Sequence, residues 1–325
     1  MDRTCPTDLA LLDRFQRDLP LDPRPFGRIA VRLGLSEAEV IGRLARMQRE
    51  GWIARVGGTV RPNTAGASTL AALAVPEERI EAVAAIVGAE PGVNHSYLRE
   101  ADWNLWFVAT APDTGALAAM LGRIKAATGL DVLDLRLVRP FNIDLGFPLS
   151  GGRVAMPGAR SVEAAVLCPS DRPILDALSR GLELTPRPYA ALALRLGREE
   201  AAVIGRIAVL LQAGILTRLG VIVRHRALGF TANAMVVWDV PDVAIGTAGP
   251  ALAALPGVTL AYERKPVAGV WPYRLYCMIH ARSRPEALEV LATAQALPDL
   301  AGVAHRTLFS TRCFKQSGAR LLEAA

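Results

Sequence analysis

The sequence predicts an α+β fold in which one unit occurs twice, each copy a winged helix-turn-helix followed by a ferredoxin-like βαββαβ domain. The first observation is an internal repeat, because Val40-Ile41-Gly42-Arg43 recurs as Val203-Ile204-Gly205-Arg206. The second is that each copy begins with apolar residues at helical spacing and continues with strand-like segments that alternate with helices. The chain of 325 residues therefore holds two copies of one fold.

Further matches and breaks in composition set the predicted domain boundaries. Other short matches recur in the same order: Leu33-Gly34 with Leu196-Gly197, Arg55 with Arg218, Pro91-Gly92-Val93 with Pro256-Gly257-Val258, and Tyr97 with Tyr262. The predicted domains are a first winged helix-turn-helix (1–62), a first ferredoxin-like domain (63–148), a linker (149–160), a second winged helix-turn-helix (161–226) and a second ferredoxin-like domain (227–325). Glycine and proline mark the linker as a break between the copies.

The first part of each copy predicts three helices and a wing. In copy one, helices fall near Leu9–Arg17 and Arg24–Leu33, and Ser36 begins a third with a capping-box pattern. Gly51 ends it, and Trp52–Gly58 predicts a strand with a tight turn at its two glycines. The corresponding segments of copy two are Asp171–Leu178, Pro188–Leu196, Arg198–Gln212 and Ile215–Val223.

The second part of each copy predicts the βαββαβ order. In copy one the segments are strands near Thr69–Val75, Val93–Arg99, Asn104–Thr110 and Val132–Val138, with helices near Glu77–Gly88 and Thr114–Thr128. In copy two the strands fall near Ala232–Val240, Val258–Arg264, Arg274–Ala281 and Val303–Phe309. This helix-turn-helix plus sheet architecture resembles that of Lrp/AsnC-type regulators.

Composition narrows the classes of function. Charged residues interrupt the N-terminal segment, and no window has the roughly 18–20 uncharged apolar residues of a membrane span, so we expect a cytoplasmic protein. The four cysteines have no zinc-like spacing, and we expect free thiols and no metal site. The net charge of +6, mostly arginine, indicates an anionic partner, either nucleic acid or a polycarboxylate.

The candidate DNA-reading helices argue against DNA as that partner. A reading helix presents polar side chains to base edges and phosphates. Here the two helices begin with Glu37 and Glu39 in copy one and with Glu199 and Glu200 in copy two, and carboxylates would repel phosphates. We expect no DNA binding and interpret these modules as retained for packing.

Two strand pairs carry side chains unsuited to a core. His95, Tyr97 and Arg99 alternate along one strand and so share a face, and Trp106 follows on the next strand.

In copy two, Tyr262 and Arg264 share a face in the same way. Arg274, Tyr276, Met278 and His280 are predicted to share one on the following strand. The Lys265–Val270 loop and Trp271-Pro272-Tyr273 connect the two strands, and the loop is a candidate lid.

The residue types at these sites predict the chemistry of the ligand. Arginine pairs with carboxylates through two parallel hydrogen bonds, and tyrosine and tryptophan stack on planar groups. Arg224 and His225, between the second helical segment and its sheet, add further cationic or protonatable groups. A large, flat ligand with several carboxylates suits this set, whereas no nucleophile elbow, phosphate loop or metal-ligand spacing is present.

The motifs also resemble those of a known family, the siroheme decarboxylases, over essentially the whole chain. The segments that carry the resemblance are Asn94-His95-Ser96-Tyr97 with Asn104-Leu105-Trp106-Phe107, Arg224–Val240, Trp271-Pro272-Tyr273 with Cys277-Met278-Ile279-His280, and Phe309–Lys315. The resemblance implies an Lrp/AsnC-like fold with both halves fused. It also implies that CO2 is removed from two acetate side chains of siroheme, giving didecarboxysiroheme for heme d1. It implies no organic cofactor, since the iron enters with the substrate, and related decarboxylase subunits or a second copy as partners.

For such a reaction, the residues suggest roles as hypotheses. His95 and His280 are the candidate proton donors, because histidine has a pKa near neutrality. The candidate substrate-binding residues are Tyr97, Arg99, Trp106, Arg224, His225, Tyr262, Arg264, Trp271, Tyr273 and Arg274.

The sequence departs from the family pattern at three positions: Ala101 and Asp102, where relatives often have protonatable or cationic residues, and Arg274, where they often have Asn. We therefore expect one productive site per chain, with copy two supplying most carboxylate contacts. Two other functions stay open, a tetrapyrrole-responsive transcription regulator and a non-catalytic tetrapyrrole carrier.

Overall fold

The computed structural model describes residues 5–143, 146, 149 and 161–321, so the predicted linker lies almost wholly outside the described residues. The elements in chain order are α1 (Pro6–Arg14), α2 (Pro25–Leu33), α3 (Glu37–Arg49), β1 (Ile53–Val60), β2 (Ala67–Leu73), α4 (Ile80–Ala89), β3 (Val93–Arg99), β4 (Leu105–Ala111), α5 (Thr114–Thr128), β5 (Leu133–Asn142), α6 (Arg172–Arg180), α7 (Pro188–Leu196), α8 (Glu200–Gln212), β6 (Leu216–Val223), β7 (Ala232–Trp238), α9 (Ile245–Ala254), β8 (Val258–Arg264), β9 (Leu275–Ala281), α10 (Arg284–Gln295) and β10 (His305–Gln316).

The described residues form two compact units that do not follow the order of the copies. The first contains residues 5–65, 146, 149 and 161–229, and the second contains residues 66–143 and 230–321. The helix-rich segments of both copies thus share the first unit, and the sheet segments of both copies share the second.

Helix α3 in the first unit begins as predicted. The backbone N–H of Glu39 donates to Ser36 Oγ at 3.2 Å, and the Glu39 carboxylate accepts from the Ser36 backbone N–H at 2.8 Å. This reciprocal pair satisfies two N–H groups that a helix start leaves without a partner. Gly51 follows the helix with a φ of 79°, a conformation that favours glycine.

Equivalent ion pairs brace the helices of the two copies. Asp8 accepts from Arg43 at 2.9 Å and also from Arg46, and Asp171 accepts from Arg206 at 2.6 Å. Both carboxylates are buried, which alone would raise their pKa values. The hydrogen bonds from arginine outweigh burial and lower the pKa of each carboxyl.

The predicted hairpin wing is wrong. Strand β1 runs straight through Gly57 and Gly58, and it pairs antiparallel with β6 of the other copy, with Gly57 opposite Gly220. A Cβ at Gly57 would come within 2.3 Å of the Leu178 carbonyl oxygen, and one at Gly220 within 2.4 Å of the Gln16 backbone. These glycines therefore permit close backbone packing rather than a turn.

The second unit is built on a closed barrel whose described strands follow the order β10-β3-β4-β2-β5-β8-β9-β7. Strands β5 and β10 join the two copies, because each pairs first with a strand of its own copy and then with one of the other. Strand β5 pairs with β2 and then β8, and β10 pairs with β7 and then β3. All these pairs are antiparallel.

Two apolar layers lie between the barrel and its helices. The residues from β2, β3 and β4 pack with α4 and α5 in one cluster, and those from β7, β8 and β9 pack with α9 and α10 in another. The opposite face of the same strands consequently points into the barrel.

Most predicted elements of the second unit agree with the structure within two residues, and β3, α5 and β8 agree in full. The prediction for β10 was too short. It ended at Phe309, whereas the strand continues to Gln316 because its second half pairs with β3.

Candidate active site

The barrel interior is apolar at its centre. Buried side chains from seven of the described strands form one cluster there with Trp271 from the connection between β8 and β9, and Trp106, Trp271 and Tyr276 are among its largest members. Trp106 and Trp271 are 1% and 2% exposed, so they act as packed core and present almost no surface to a ligand.

Aromatic contacts hold this interior together. The ring centroids of Trp106 and Trp271 are 5.4 Å apart, and Tyr273 packs edge-on against Trp271 at 4.9 Å. Trp271 Nε1 donates to the Tyr276 hydroxyl at 2.8 Å, and burial raises the pKa of this hydroxyl. Tyr273 is half-buried, and so belongs to the rim of this cluster.

Two arginines enter this interior in equivalent ways. The Arg264 guanidinium lies 4.6 Å from the Tyr262 ring centroid and donates to the Leu135 carbonyl at 2.7 Å. The Arg99 guanidinium lies 5.7 Å from the Tyr97 ring centroid and donates to the Leu308 carbonyl at 3.0 Å. Each arginine therefore stacks on a tyrosine of its own strand and reaches a strand of the other copy.

Arg264 is a cation well placed to receive an anion. Among the described residues no carboxylate pairs with it, and its Nε is buried without a hydrogen-bond partner. A charge held in an aromatic environment away from water interacts strongly with an opposite charge that enters the same site.

The two candidate histidines lie on different strands with different neighbours. His95 Nδ1 is 3.3 Å from the Tyr97 hydroxyl on the same strand, β3, and the two rings stack. His280 Nδ1 on β9 is 2.6 Å from Thr259 Oγ1 on β8. Both imidazoles are half-buried, which lets them exchange protons with a bound molecule.

Strand register brings His280 towards Arg99. Arg99 Nη2 lies 3.9 Å from Met278 Sδ, and Met278 is two residues from His280 on β9, so both project from one face. Strands β10 and β7 lie between β3 and β9 in the barrel. The residues paired across these strands, followed from Arg99 on β3, end within one residue of His280 on β9. This end, the Arg99 end, comprises Arg99, Tyr97, Met278 and His280.

The other end of the pseudosymmetric barrel, the Arg264 end, has Thr110 at the position of His280. His95 lies at this end, because it pairs with Val108 and the preceding Asn94 donates to Thr110 at 3.2 Å. Its counterpart Leu260 pairs with Met278 at the Arg99 end. Each end therefore has a tyrosine, an arginine and one histidine.

Three other predicted residues are not members of this set. Arg274 precedes β9 and forms an ion pair with Asp242 at 2.8 Å, so the expectation that it shares the face of His280 is wrong. Arg224 and His225 follow β6 in the first unit, and His225 is buried there.

The loop and the hairpin that differ between the copies are also ordered by local contacts. The Lys265–Val270 loop closes through a two-way backbone pair between Val267 and Trp271. Asp102, at the hairpin of copy one, is exposed and pairs with Arg306 at 3.3 Å. That ion pair offsets the charge expected to repel an anionic substrate.

Neither a metal-binding cluster nor a membrane-spanning helix occurs among the described residues. They contain no group of three or more His, Cys, Asp or Glu side chains that could hold a metal ion. No helix in the described part is long and apolar enough to cross a membrane.

Comparison with known proteins establishes the family. A siroheme decarboxylase NirDL subunit of Paracoccus denitrificans is 64% identical over 318 residues, which is 98% of each chain. The chain belongs to the siroheme decarboxylase family. A family model for the siroheme decarboxylase NirDL-like HTH domain matches residues 8–53 and 171–216, and one for the AsnC-like ligand binding domain matches residues 65–141 and 227–315.

Solved structures of the siroheme decarboxylase family have the same fold. The crystal structure of the siroheme decarboxylase NirDL superposes with a TM-score of 0.69 at 26% identity, over 97% of this chain and 94% of that one. A second crystal structure is of NirDL in co-complex with an iron-uroporphyrin III analogue, with a TM-score of 0.68 and 26% identity over 97% and 93% of the two chains.

Thr259 is a neighbour of the candidate site that the sequence analysis did not name. The internal repeat indicates Thr259, because Thr259 aligns with Asn94 of copy one. The Asn94–Thr110 contact in copy one occupies the same positions as the Thr259–His280 contact in copy two. Met278 was predicted to share a face with His280, but its contact with Arg99 has no signal in the sequence, since the contact depends on how the barrel closes.

Proposed function

We propose that this chain removes CO2 from two acetate side chains of siroheme, giving didecarboxysiroheme in heme d1 biosynthesis. The observation that carries the proposal is the 64% identity with a siroheme decarboxylase NirDL subunit over 98% of both chains. The solved NirDL complex with an iron-uroporphyrin III analogue supports a tetrapyrrole as the ligand, and arginines beside aromatic rings suit its carboxylates.

The finer architecture is also a proposal. Each copy would be a helix-turn-helix segment followed by a ferredoxin-like domain, with the pairing of β1 and β6 in place of two hairpin wings. The order β2-α4-β3-β4-α5-β5 in copy one and its counterpart in copy two support this assignment.

The proposed reaction needs a proton donor. Loss of CO2 from an acetate on a pyrrole ring leaves an electron pair on the side-chain carbon, which the macrocycle delocalises. A proton added to that carbon turns the acetate into a methyl group. His280 and His95 are the proposed donors, because a protonated imidazole releases its proton near neutral pH.

The arginines would serve the carboxylates that do not react. An arginine on the reacting carboxylate would stabilise the starting state, and the barrier would rise accordingly. Arg99 and Arg264 are therefore proposed to bind other carboxylates, so that binding energy holds the reacting acetate against the apolar interior. Tyr97 and Tyr262, stacked beside these arginines, would contact the flat macrocycle.

The Arg99 end is the proposed productive site. It combines Arg99 and Tyr97 of copy one with Met278 and His280 of copy two, whereas Thr110 stands at the position of His280 at the Arg264 end. This changes the expectation from the sequence that copy two supplies most carboxylate contacts. The expectation of one productive site per chain is retained.

The remaining assignments follow from the family and from thiol chemistry. The proposed enzyme needs no organic cofactor, because the iron arrives within siroheme. Related subunits are proposed as partners, since the Paracoccus relative is itself named a subunit. The four cysteines are free thiols, which is consistent with the proposed location in the reducing cytoplasm.

Anaerobic incubation of the purified chain with siroheme tests the proposal. Mass spectrometry should detect a product that has lost two CO2. Binding without mass loss would instead indicate a tetrapyrrole carrier.

A further inference from the structure

The hydroxyl group of Thr259 links His280 to the backbone of its own strand. Thr259 Oγ1 is 2.6 Å from His280 Nδ1 and 3.1 Å from the Met278 carbonyl oxygen. Thr259 is 4% exposed, and its own carbonyl accepts from Asn142 Nδ2 at 2.6 Å. The hydroxyl is therefore held in place on both sides, in a part of the barrel that little water reaches.

The number of hydrogens that each group carries determines which group donates in each of these contacts. A carbonyl oxygen can only accept, so the hydrogen bond from Thr259 to Met278 uses the single hydroxyl hydrogen of the threonine. The hydroxyl oxygen must then accept from His280, which requires a hydrogen on Nδ1. Neutral imidazole carries one N–H, and this arrangement leaves Nε2 as the nitrogen that gains and loses the proton.

We propose that Thr259 is a positioning residue that keeps neutral His280 in the Nδ1–H tautomer, so that Nε2 delivers the proton to the substrate. The proposal rests on the proposed function for the identity of the proton acceptor. In the reaction, His280 with hydrogens on both nitrogens gives the Nε2 hydrogen to the carbon that has lost CO2. It then returns to the neutral form that Thr259 stabilises, and solvent restores the proton.

Copy one provides an internal comparison. At the matching positions, Asn94 Nδ2 donates to Thr110 Oγ1 at 3.2 Å, so the threonine has moved to the other strand and no imidazole takes part in the contact. The same contact between neighbouring strands is therefore purely structural at the Arg264 end. Only in copy two does it orient a group that can carry a proton.

The direct test is the protonation of the His280 ring, read by 15N NMR of histidine-labelled protein without substrate. In the wild-type chain at a pH where His280 is neutral, we expect the hydrogen on Nδ1. In Thr259→Val, which keeps the shape and removes the hydroxyl, we expect the population to shift towards Nε2–H. Thr259→Ser restores the hydroxyl and should restore the Nδ1–H form.

Turnover of siroheme provides the second readout. Thr259→Val should lose at least about tenfold in turnover, because the wrong tautomer removes a general acid, and Thr259→Ser should recover most of it. Thr110→Val, the matched control at the other end, should change neither the His280 signals nor turnover appreciably.

An Nε2–H form in the wild-type protein, or signals unchanged in a folded Thr259→Val variant, would overturn the proposal. These NMR outcomes do not depend on substrate. A chain with the expected tautomer that does not decarboxylate siroheme would refute the proposed function and leave the role of Thr259 in orienting His280 intact.

Discussion

The guanidinium of Arg99 reaches the sulfur of Met278 across the barrel, at 3.9 Å, and so joins a strand of copy one to a strand of copy two. Because Met278 and His280 project from the same face of β9, this contact places an arginine of one copy towards a histidine of the other. Neither copy alone contains the whole set of candidate groups, which gives a physical reason for the fused chain.

The two arginines should differ in their importance for siroheme. We expect Arg99→Met to weaken siroheme binding more than Arg264→Met, because the proposed productive site lies at the Arg99 end. A lost charge-assisted hydrogen bond costs roughly 1.5–3 kcal/mol, which is about ten- to hundredfold in Kd. Methionine keeps most of the buried stem, and the matched pair of variants controls for packing. Titration that finds the larger loss in the Arg264 variant would assign the site to the opposite end.

His95 should be needed for turnover and not for folding. We expect His95→Ala to lower siroheme turnover by at least about tenfold, since general acid catalysis typically contributes a factor of about 10²–10⁴. His305→Gln is the control, because His305 stacks on Trp238 at 4.8 Å and lies outside the proposed site. Thermal unfolding should give similar midpoints for both variants. An unchanged turnover in His95→Ala would remove His95 from the mechanism.

The helix-turn-helix segments should not read DNA. Glu37 and Glu200, at equivalent positions of α3 and α8, form ion pairs with Arg24 and Arg187, which stand at the starts of the preceding helices. These ion pairs hold the helix pairs together, which is consistent with modules retained for packing. We expect no sequence-specific DNA binding at physiological salt in gel-shift assays. Nanomolar binding to one promoter fragment that survives competitor DNA would favour a regulator instead.

Stability should depend on pH through Asp8 and Asp171. Hydrogen bonds from arginine lower the pKa of both carboxyls in the folded protein below their ordinary value of 3.8. Their contribution is therefore present above about pH 4 and is lost as the pH falls through the folded pKa values. Asp171→Asn should lower the free energy of unfolding by about 1–3 kcal/mol at pH 7. The difference from wild type should shrink at pH 2–3, and a difference that is constant with pH would contradict the assignment.

Patterns among residues close in sequence predicted most helices and strands. The features that were not predicted depend on pairing or packing between residues far apart in the chain. Helix α5 and the Ser36 capping box follow from residues close in sequence, and both are as predicted. The straight path of β1 depends on packing against Leu178, which is far away in the chain. The end of β10 likewise depends on its pairing with β3.

The candidate site likewise has features that local sequence patterns predict and features that depend on long-range packing. Alternation along β3 predicted which side chains share a face, and the repeat predicted that Tyr262 and Arg264 copy Tyr97 and Arg99. No periodicity could indicate that Trp106 packs on Trp271, or that Arg99 approaches the strand of His280, because both depend on barrel closure.

The most direct test of the central claim is the mass of siroheme after anaerobic incubation with the purified chain and, in parallel, with the His95→Ala, His280→Ala double variant. We expect a product lighter by two CO2 with the wild-type chain and unchanged siroheme with the folded double variant. Siroheme recovered unchanged from a wild-type chain that binds it, with related subunits also supplied, would show that the chain is not a siroheme decarboxylase.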